Sequence, residues 1–92
     1  MRIEVRYIGV LEELAGTAKD EIFVESRNSL TLKELMEKYI LTLHPSLIIR
    51  TTESKDPVTQ FTIAVNGKLV HDLNTLLKDG DIVLLMIPIA GG

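Results

Sequence analysis

Polar and apolar residues alternate from Arg2 onward, with a charge at each even position and an apolar or aromatic residue at each odd one as far as Tyr7. A period of two residues is typical of a half-buried strand, so we predict a strand over Arg2 to Val10. Ile8 falls on the charged face of this strand. It either turns inward where the strand ends or forms an exposed apolar contact for a partner.

A second strand is predicted over Lys19 to Glu25, where Ile22 and Val24 face the same way. The preceding segment, Leu11 to Ala15, is compatible with one helical turn or with a loop. Gly16 to Asp20 is then the connection of a hairpin between the first two strands.

The clearest helix lies over about residues 31–43. Thr31 and Glu34 match a capping box, in which each side chain binds the backbone of the other residue. His44-Pro45 ends the helix, because the residue before proline disfavours helical backbone. One apolar stripe at helical spacing is expected to face the core; it consists of Leu32, Leu35, Met36, Tyr39, Ile40 and Leu43.

After the helix, Ser46 to Arg50 is compatible with a further helical turn, and the polar segment Thr51 to Pro57 predicts a loop. Phe61 to Val65 alternates and predicts a third strand. Asn66-Gly67 predicts a type I′ hairpin turn, because both central residues of that turn need positive φ. Lys68 to Val70 is then the return strand.

The last third of the chain predicts one more long strand. Leu73 to Leu77 is compatible with a loop or a single helical turn, and Lys78 to Asp81 with a tight turn. Ile82 to Ile87 is almost wholly apolar, which favours a central position in a sheet. Pro88 cannot donate to a strand ladder, so an extended tail is expected to follow it.

This order of elements predicts an α+β fold in one domain, residues 1–88, followed by a flexible tail, residues 89–92. A single helix of this length is best buried across one face of a sheet. The first and last strands can then pair in parallel at the centre. This is the ubiquitin-like β-grasp arrangement, a mixed sheet of four to five strands with one main helix packed on one face.

Composition narrows the function classes. The chain has 92 residues, a formal net charge of -3 and scattered Lys and Arg, which argues against nucleic-acid binding. Its apolar runs fall short of the roughly 18 residues of a membrane span. Charges at positions 2, 4 and 6 interrupt any signal-peptide pattern, so we expect a soluble cytoplasmic protein. The chain has no cysteine, which excludes disulfides, thiolate metal sites and cysteine nucleophiles.

Residues for a conventional active site are scarce. His44 at the helix end and His71 in a turn region are each better explained as surface or capping residues than as catalysts. The sequence has no metal-ligand spacing and no Gly-rich phosphate loop, so we expect no metal and no bound cofactor. Gly91-Gly92 is either a frayed end or a slim tail that threads a narrow channel and presents its carboxylate to another protein.

Three blocks spread over nearly the whole chain resemble the small subunit of molybdopterin synthase, a ubiquitin-like sulfur carrier. Arg6 to Thr17 resembles that family's first strand and its Glu-Leu-x-Gly-Thr motif. Val65 to Val70 resembles its Val-Asn hairpin. Asp79 to Val83, with Pro88 and Gly91-Gly92, resembles its closing block.

The resemblance implies a chemical role for the tail. A ubiquitin-activating-type adenylyltransferase would use MgATP to adenylate the Gly92 carboxylate, and a persulfide sulfur would convert it to a thiocarboxylate. Ile89, Ala90 and Gly91 would carry this group into the large subunit of molybdopterin synthase, where the sulfur attacks a pyranopterin precursor. The expected assembly is a heterotetramer of two small and two large subunits, in which the small subunit is not catalytic alone.

Partner contacts are expected on the face of the sheet away from the helix. By strand parity Ile8 and Met86 lie on that face, with Leu69 nearby, and Pro88 leads from it into the tail. Ordinary core packing is the competing interpretation for Leu69 and Met86.

Three other functions fit the same features. A thiamin-pathway sulfur carrier has the same fold and tail but is usually much shorter. A ubiquitin-like modifier would join Gly92 to lysines of other proteins. A non-covalent β-grasp adaptor would not use the tail at all. A stand-alone enzyme is disfavoured, because acid–base residues are lacking.

Overall fold

The computed structural model describes residues 1–25, 29–48 and 61–87. A 3-10 turn over Pro45–Leu47 follows the main helix. The strands and helices in chain order are β1 (Arg2–Tyr7), α1 (Val10–Ala15), β2 (Lys19–Phe23), β3 (Leu30–Thr31), α2 (Leu32–Glu34 and Leu41–Leu43, joined by a π-helical segment over Leu35–Ile40), β4 (Thr62–Val65), β5 (Lys68–Val70), β6 (Leu76–Leu77) and β7 (Ile82–Met86).

Five strands form the main sheet, in the order β2-β1-β7-β4-β5. The first and last strands, β1 and β7, pair in parallel at its centre, and the other neighbours are antiparallel. β3 and β6 form a separate two-stranded sheet. The predicted α+β class and the parallel central pair are therefore confirmed, with five strands in the main sheet.

The hydrophobic core lies between the main sheet and α2. The side chains of odd-numbered β1 residues are buried, whereas Arg2 and Arg6 on the other parity are exposed. α2 and β7 complete the core with fully buried residues, among them Leu32, Leu35, Met36, Ile40, Val83 and Leu85. One face of the sheet is therefore covered by α2, and within the described ranges the opposite face is left open. We call the opposite face the open face.

The prediction of a first strand extending to Val10 is wrong at its end. β1 stops at Tyr7, Gly9 has a φ of 64°, and α1 begins at Val10. A positive φ reverses the chain at low steric cost only at glycine, so the strand cannot continue through this position. The helical interpretation of Leu11 to Ala15 is confirmed, and β2 has already begun at Lys19, within the predicted connection.

The capping box of α2 is confirmed, because the Glu34 backbone N–H donates to Thr31 Oγ1 at 3.1 Å and the Thr31 N–H donates to Glu34 Oε1 at 3.1 Å. The apolar stripe is wrong at its last position, since Leu43 is exposed and Leu41 is buried. A π-helical turn spans an extra residue because its hydrogen bonds run from i to i+5. The inward face is therefore displaced by one residue after Ile40.

The Asn66-Gly67 turn is confirmed, because both central residues have positive φ, 51° at Asn66 and 86° at Gly67. The loop or helical turn predicted over Leu73 to Leu77 is wrong at its end, because β6 pairs there with β3. Two-residue strands carry too little pattern to be read from sequence. The further helical turn predicted over Ser46 to Arg50 is present as a 3-10 turn with other bounds, Pro45–Leu47, and residues 49–50 of the prediction lie outside the described residues.

Some predictions fall outside the described residues. They are the Thr51 to Pro57 loop and the tail, together with Pro88, Ile89, Ala90, Gly91 and Gly92. Among the helices of the described ranges, none has the length and apolarity needed to cross a lipid bilayer.

Candidate functional site

Apolar side chains cluster on the open face around the end of β7. Leu84 pairs with Ala64 of β4, and Ala64 pairs with Leu69 of β5, so these three residues form one row across the sheet. Met86 lies on the same side of β7 as Leu84, two residues further along. Tyr7 pairs with Leu85, which sets the next residue, Ile8, beside Met86. We call Ile8, Leu69, Leu84 and Met86 the open-face patch.

The residues of this patch are accessible to a partner. Leu69 is 61% exposed and Ile8 is 43% exposed, whereas Leu84 and Met86 are half-buried. Ala64 is buried beneath them, because its side chain is short and its neighbours on both strands are large. Leu69 and Met86 are therefore not core residues, which was the competing interpretation for both.

Charged residues border the patch on the β1 side of the open face. Arg6 pairs with Leu84 across the sheet, so its guanidinium stands beside the apolar row. Glu4 lies on the same face of β1, two residues from Arg6, and its carboxylate accepts a hydrogen bond from the Arg6 guanidinium. This hydrogen bond holds the pKa of the Glu4 carboxyl below its usual range. The patch is therefore an apolar surface with a polar margin, which is the usual composition of a protein interface.

The patch adjoins the point where the chain leaves the sheet. The Ile8 N–H donates to the Leu85 carbonyl at 3.0 Å, so β1 holds β7 almost to its last residue. Ile87, the next residue, packs against the core. Residues 88–92 therefore follow, in the sequence, a strand that is paired on both sides.

The sequence predicts Ile8, Leu69 and Met86 for this surface, and Leu84 is a fourth residue that only the structure adds. Strand parity contained the missing signal, because Leu84 and Met86 are two residues apart on one strand. Pro88, the fourth residue predicted to bind a partner, lies outside the described residues.

A second cluster, of polar side chains, was missed altogether. The Tyr7 hydroxyl donates to Asp20 Oδ2 at 2.9 Å, and His44 Nε2 lies 2.6 Å from the same oxygen. The Tyr7 and His44 rings meet edge to face at 5.3 Å. The pKa of Tyr7 is raised mainly by burial of its side chain and, to a smaller extent, by its hydrogen bond to Asp20. The cluster ties β1, β2 and the end of α2 together.

Of the two interpretations offered for His44, surface residue or capping residue, the first is wrong, since its side chain is only 16% exposed, whereas its position at the C-cap of the main helix agrees with the second. One signal in the sequence pointed to the cluster: Asp20 occupies the same strand parity as Ile22 and Val24, which are buried. The other histidine, His71, is exposed as expected. Among the described residues, no three His, Asp or Glu side chains are placed to hold a metal ion.

A five-stranded mixed sheet with a parallel central pair and one main helix across its face defines the ubiquitin-like β-grasp fold. SAMP1 from Haloferax volcanii has this fold and superposes with a TM-score of 0.81 over 100% of both chains, at 22% sequence identity. A likeness at that identity shows the fold alone.

Two further solved structures are more similar in sequence. The putative molybdopterin converting factor, subunit 1, from Pyrococcus furiosus is 29% identical, with a TM-score of 0.76 over 97% of this chain and 99% of that chain. A chain in the complex of subunits 1 and 2 of the molybdopterin-converting factor from Helicobacter pylori is 33% identical, with a TM-score of 0.62 over 100% of both.

Comparison with curated protein sequences finds no match. The chain belongs to the ThiS family, whose sequence profile matches residues 5–92.

Proposed function

We propose that this protein is a sulfur carrier and the small subunit of a molybdopterin synthase, acting in the cytoplasm. The observation that carries the proposal is the position of the open-face patch. It lies where β7 leaves the sheet, so a partner that covers the patch also receives the residues that follow, which end in Gly91-Gly92.

Two of the structural relatives are the reason for proposing this pathway. The relatives at 29% and 33% identity are both molybdopterin-converting factor subunits, and the second is part of a complex with its partner subunit. The ThiS family profile extends to Gly92, so the tail belongs to the matched region. We infer a large-subunit partner and a heterotetramer of two small and two large subunits.

The proposed chemistry begins at the Gly92 carboxylate. It attacks the α-phosphate of MgATP on an adenylyltransferase and releases pyrophosphate, which converts a poor electrophile into an acyl adenylate. The terminal sulfur of a persulfide then displaces AMP, and a second thiol releases the thiocarboxylate from the resulting acyl disulfide. The thiocarboxylate sulfur is a good nucleophile, as thiolates are, and attacks the pyranopterin precursor.

In this scheme the folded domain positions the tail and supplies no acid–base group. The open-face patch would dock first on the adenylyltransferase and then on the large subunit. Ile89, Ala90 and Gly91 would pass through a narrow channel in each of these partners.

The test is thiol labelling of the protein purified from its own cells, by alkylation followed by peptide mass mapping. The chain has no cysteine, so thiol labelling must come from added sulfur. Intact mass alone would mislead, because oxidation of one of the three methionines adds nearly the same mass as exchanging oxygen for sulfur. A variant that lacks Gly91 and Gly92 is the matched control.

We expect label on the Gly92 peptide of the intact chain and none on the shortened variant. Transfer of the labelled sulfur to a pyranopterin by the purified large subunit then tests the pathway. Absence of label after co-expression with an adenylyltransferase and a sulfur donor would overturn the proposal. Gly92 joined to lysines of other proteins would identify a modifier instead.

A further inference from the structure

The outer edge of β2 has backbone groups that no strand of the described ranges pairs with. The Val24 N–H donates to the Met1 carbonyl at 2.8 Å, and the Tyr7 N–H donates to the Ala18 carbonyl at 2.9 Å. The backbone N–H and C=O groups of the even-numbered residues in this region therefore point toward β1. Backbone groups alternate between the two sides of an antiparallel strand. Those of the odd-numbered residues of β2 therefore face outward, and these residues are Lys19, Glu21 and Phe23; Glu25 follows the strand at the same parity.

Apolar side chains surround this outer edge. Phe23 is 71% exposed in the middle of the strand region, and Leu43 of α2 is 53% exposed. Between them lies a groove of about 410 Å³, lined also by Ile22 and Tyr39 and by the polar side chains of Glu21, Lys38 and Thr42. Edge strands are normally blunted by charge, proline or a covering segment, and β2 has charged residues, but Phe23 is exposed among them beside the groove.

The charges along the edge have a self-complementary order. If a second copy of β2 is laid antiparallel with the two Ile22 residues opposite each other, Lys19 of each copy faces Glu25 of the other. Phe23 then faces Glu21. Opposite charges in directly facing positions stabilise a strand pair.

A neighbouring register is less favourable. Centring the pair on Glu21 keeps the outward backbone groups aligned but sets the two Glu21 carboxylates against each other. Like charges directly opposite destabilise a strand pair. The Thr17 hydroxyl donates to the Lys19 carbonyl at 3.1 Å, so this outward carbonyl already has a hydrogen-bond partner within the chain.

We propose that β2 is a self-pairing edge, through which two copies of this protein associate and join their main sheets into one. The second copy covers Phe23 and the groove beside α2. Another protein's strand would need an acidic residue against Lys19 and a basic residue against Glu25, which a second copy supplies by symmetry. The open-face patch lies toward β7 and β5 and stays uncovered in both copies, so this association does not rest on the proposed sulfur-carrier function.

The test is sedimentation equilibrium of the full chain over a range of concentrations up to about 1 mM, where even weak association is populated. Lys19→Glu and Glu25→Lys are each expected to raise the dimer dissociation constant about tenfold, because each sets two pairs of like charges together across the two-fold axis. The double variant, which exchanges the two charges, should return to within about threefold of the original value.

Lys33→Glu is the control, because it makes the same charge change on the exposed side of α2. It should leave the dissociation constant within about twofold of the original. A chain that is monomeric at every concentration overturns the proposal. So does a dimer whose dissociation constant ignores Lys19→Glu and Glu25→Lys, or one that the double variant fails to restore.

A synthetic peptide with the sequence of residues 19–25 distinguishes self-pairing from binding of another protein's strand to the same edge. In a self-pairing edge this peptide competes with dimer formation and shifts the amide signals of β2. If the chain is monomeric and an unrelated extended peptide binds β2 more tightly than this one, the edge receives another protein, and the second-copy assignment is wrong.

Discussion

Asp20 is expected to be the most sensitive polar position of the fold. Its Oδ2 atom accepts the Tyr7 hydroxyl at 2.9 Å and lies 2.6 Å from His44 Nε2. Tyr7 is only 1% exposed, so replacing Asp20 with alanine leaves a buried hydroxyl without its described partner. An orphaned donor of this kind costs about 1–3 kcal/mol, and hydrogen bonds to charged groups are worth about 1.5–3 kcal/mol.

The Asp20 side chain is 26% exposed, so water compensates part of this loss. We therefore expect Asp20→Ala to lower the free energy of unfolding by about 2 kcal/mol. For a domain of this size, about 1 kcal/mol shifts Tm by 4–8 °C, so the expected fall in Tm is about 8–16 °C.

Urea and thermal unfolding followed by circular dichroism provide the measurement. Glu21→Ala is the matched control, because Glu21 is the next residue of β2 and its carboxylate lies 3.9 Å from the Arg2 guanidinium at an exposed position. An exposed ion pair contributes little, so this variant should stay within about 0.5 kcal/mol of the parent.

A double-mutant cycle isolates the Tyr7–Asp20 hydrogen bond. Tyr7→Phe alone should cost about 1 kcal/mol, and the combination with Asp20→Ala should cost at least about 1 kcal/mol less than the sum of the two. Additive losses, or an Asp20→Ala loss no larger than that of Glu21→Ala, would refute this account of the cluster.

Three further expectations concern other parts of the chain. Folding raises the pKa of Tyr7, so the contribution of the Tyr7 hydroxyl to stability is complete below about pH 10 and is lost as pH rises toward the pKa of the folded state. Tyr7→Phe should therefore reduce the loss of stability at alkaline pH, measured by urea unfolding. Thr31→Ala breaks the capping box with Glu34 and should cost about 0.5–2 kcal/mol in the same assay. Leu69→Arg should weaken binding to the large subunit about tenfold or more in calorimetry, because it places a charge in an apolar contact, whereas Leu76→Arg on β6 should not.

Local features of the fold were predictable from the sequence because their causes are local. The Thr31–Glu34 capping box and the Asn66-Gly67 turn each depend on residues within one turn of chain. The apolar run of β7 favoured a central position, and the order of elements, one helix between the first and last strands, predicted their parallel pairing at the centre. Strand parity gave Ile8 and Met86 of the open-face patch, and Leu69 was expected nearby.

Features that depend on distant contacts were not predictable in this way. The π-helical segment of α2 moves the inward face by one residue, which buries Leu41 and brings His44 toward Asp20, on a strand 24 residues earlier in the chain. No spacing rule links those two residues. The pairing of β3 with β6 is similarly a tertiary contact between segments too short to show a period.

The main sheet can form only after β7 has been synthesised, because β7 occupies its centre. β7 is the last strand in the sequence, yet it lies between β1 and β4, so residues 1–81 cannot assemble the sheet without it. Leu84 and Met86 of the open-face patch belong to that strand, and the tail follows it in the sequence. A nascent or partly unfolded chain therefore presents neither the open-face patch nor a paired strand ahead of residues 88–92. Partner enzymes that require both would act only on molecules whose synthesis and folding are complete.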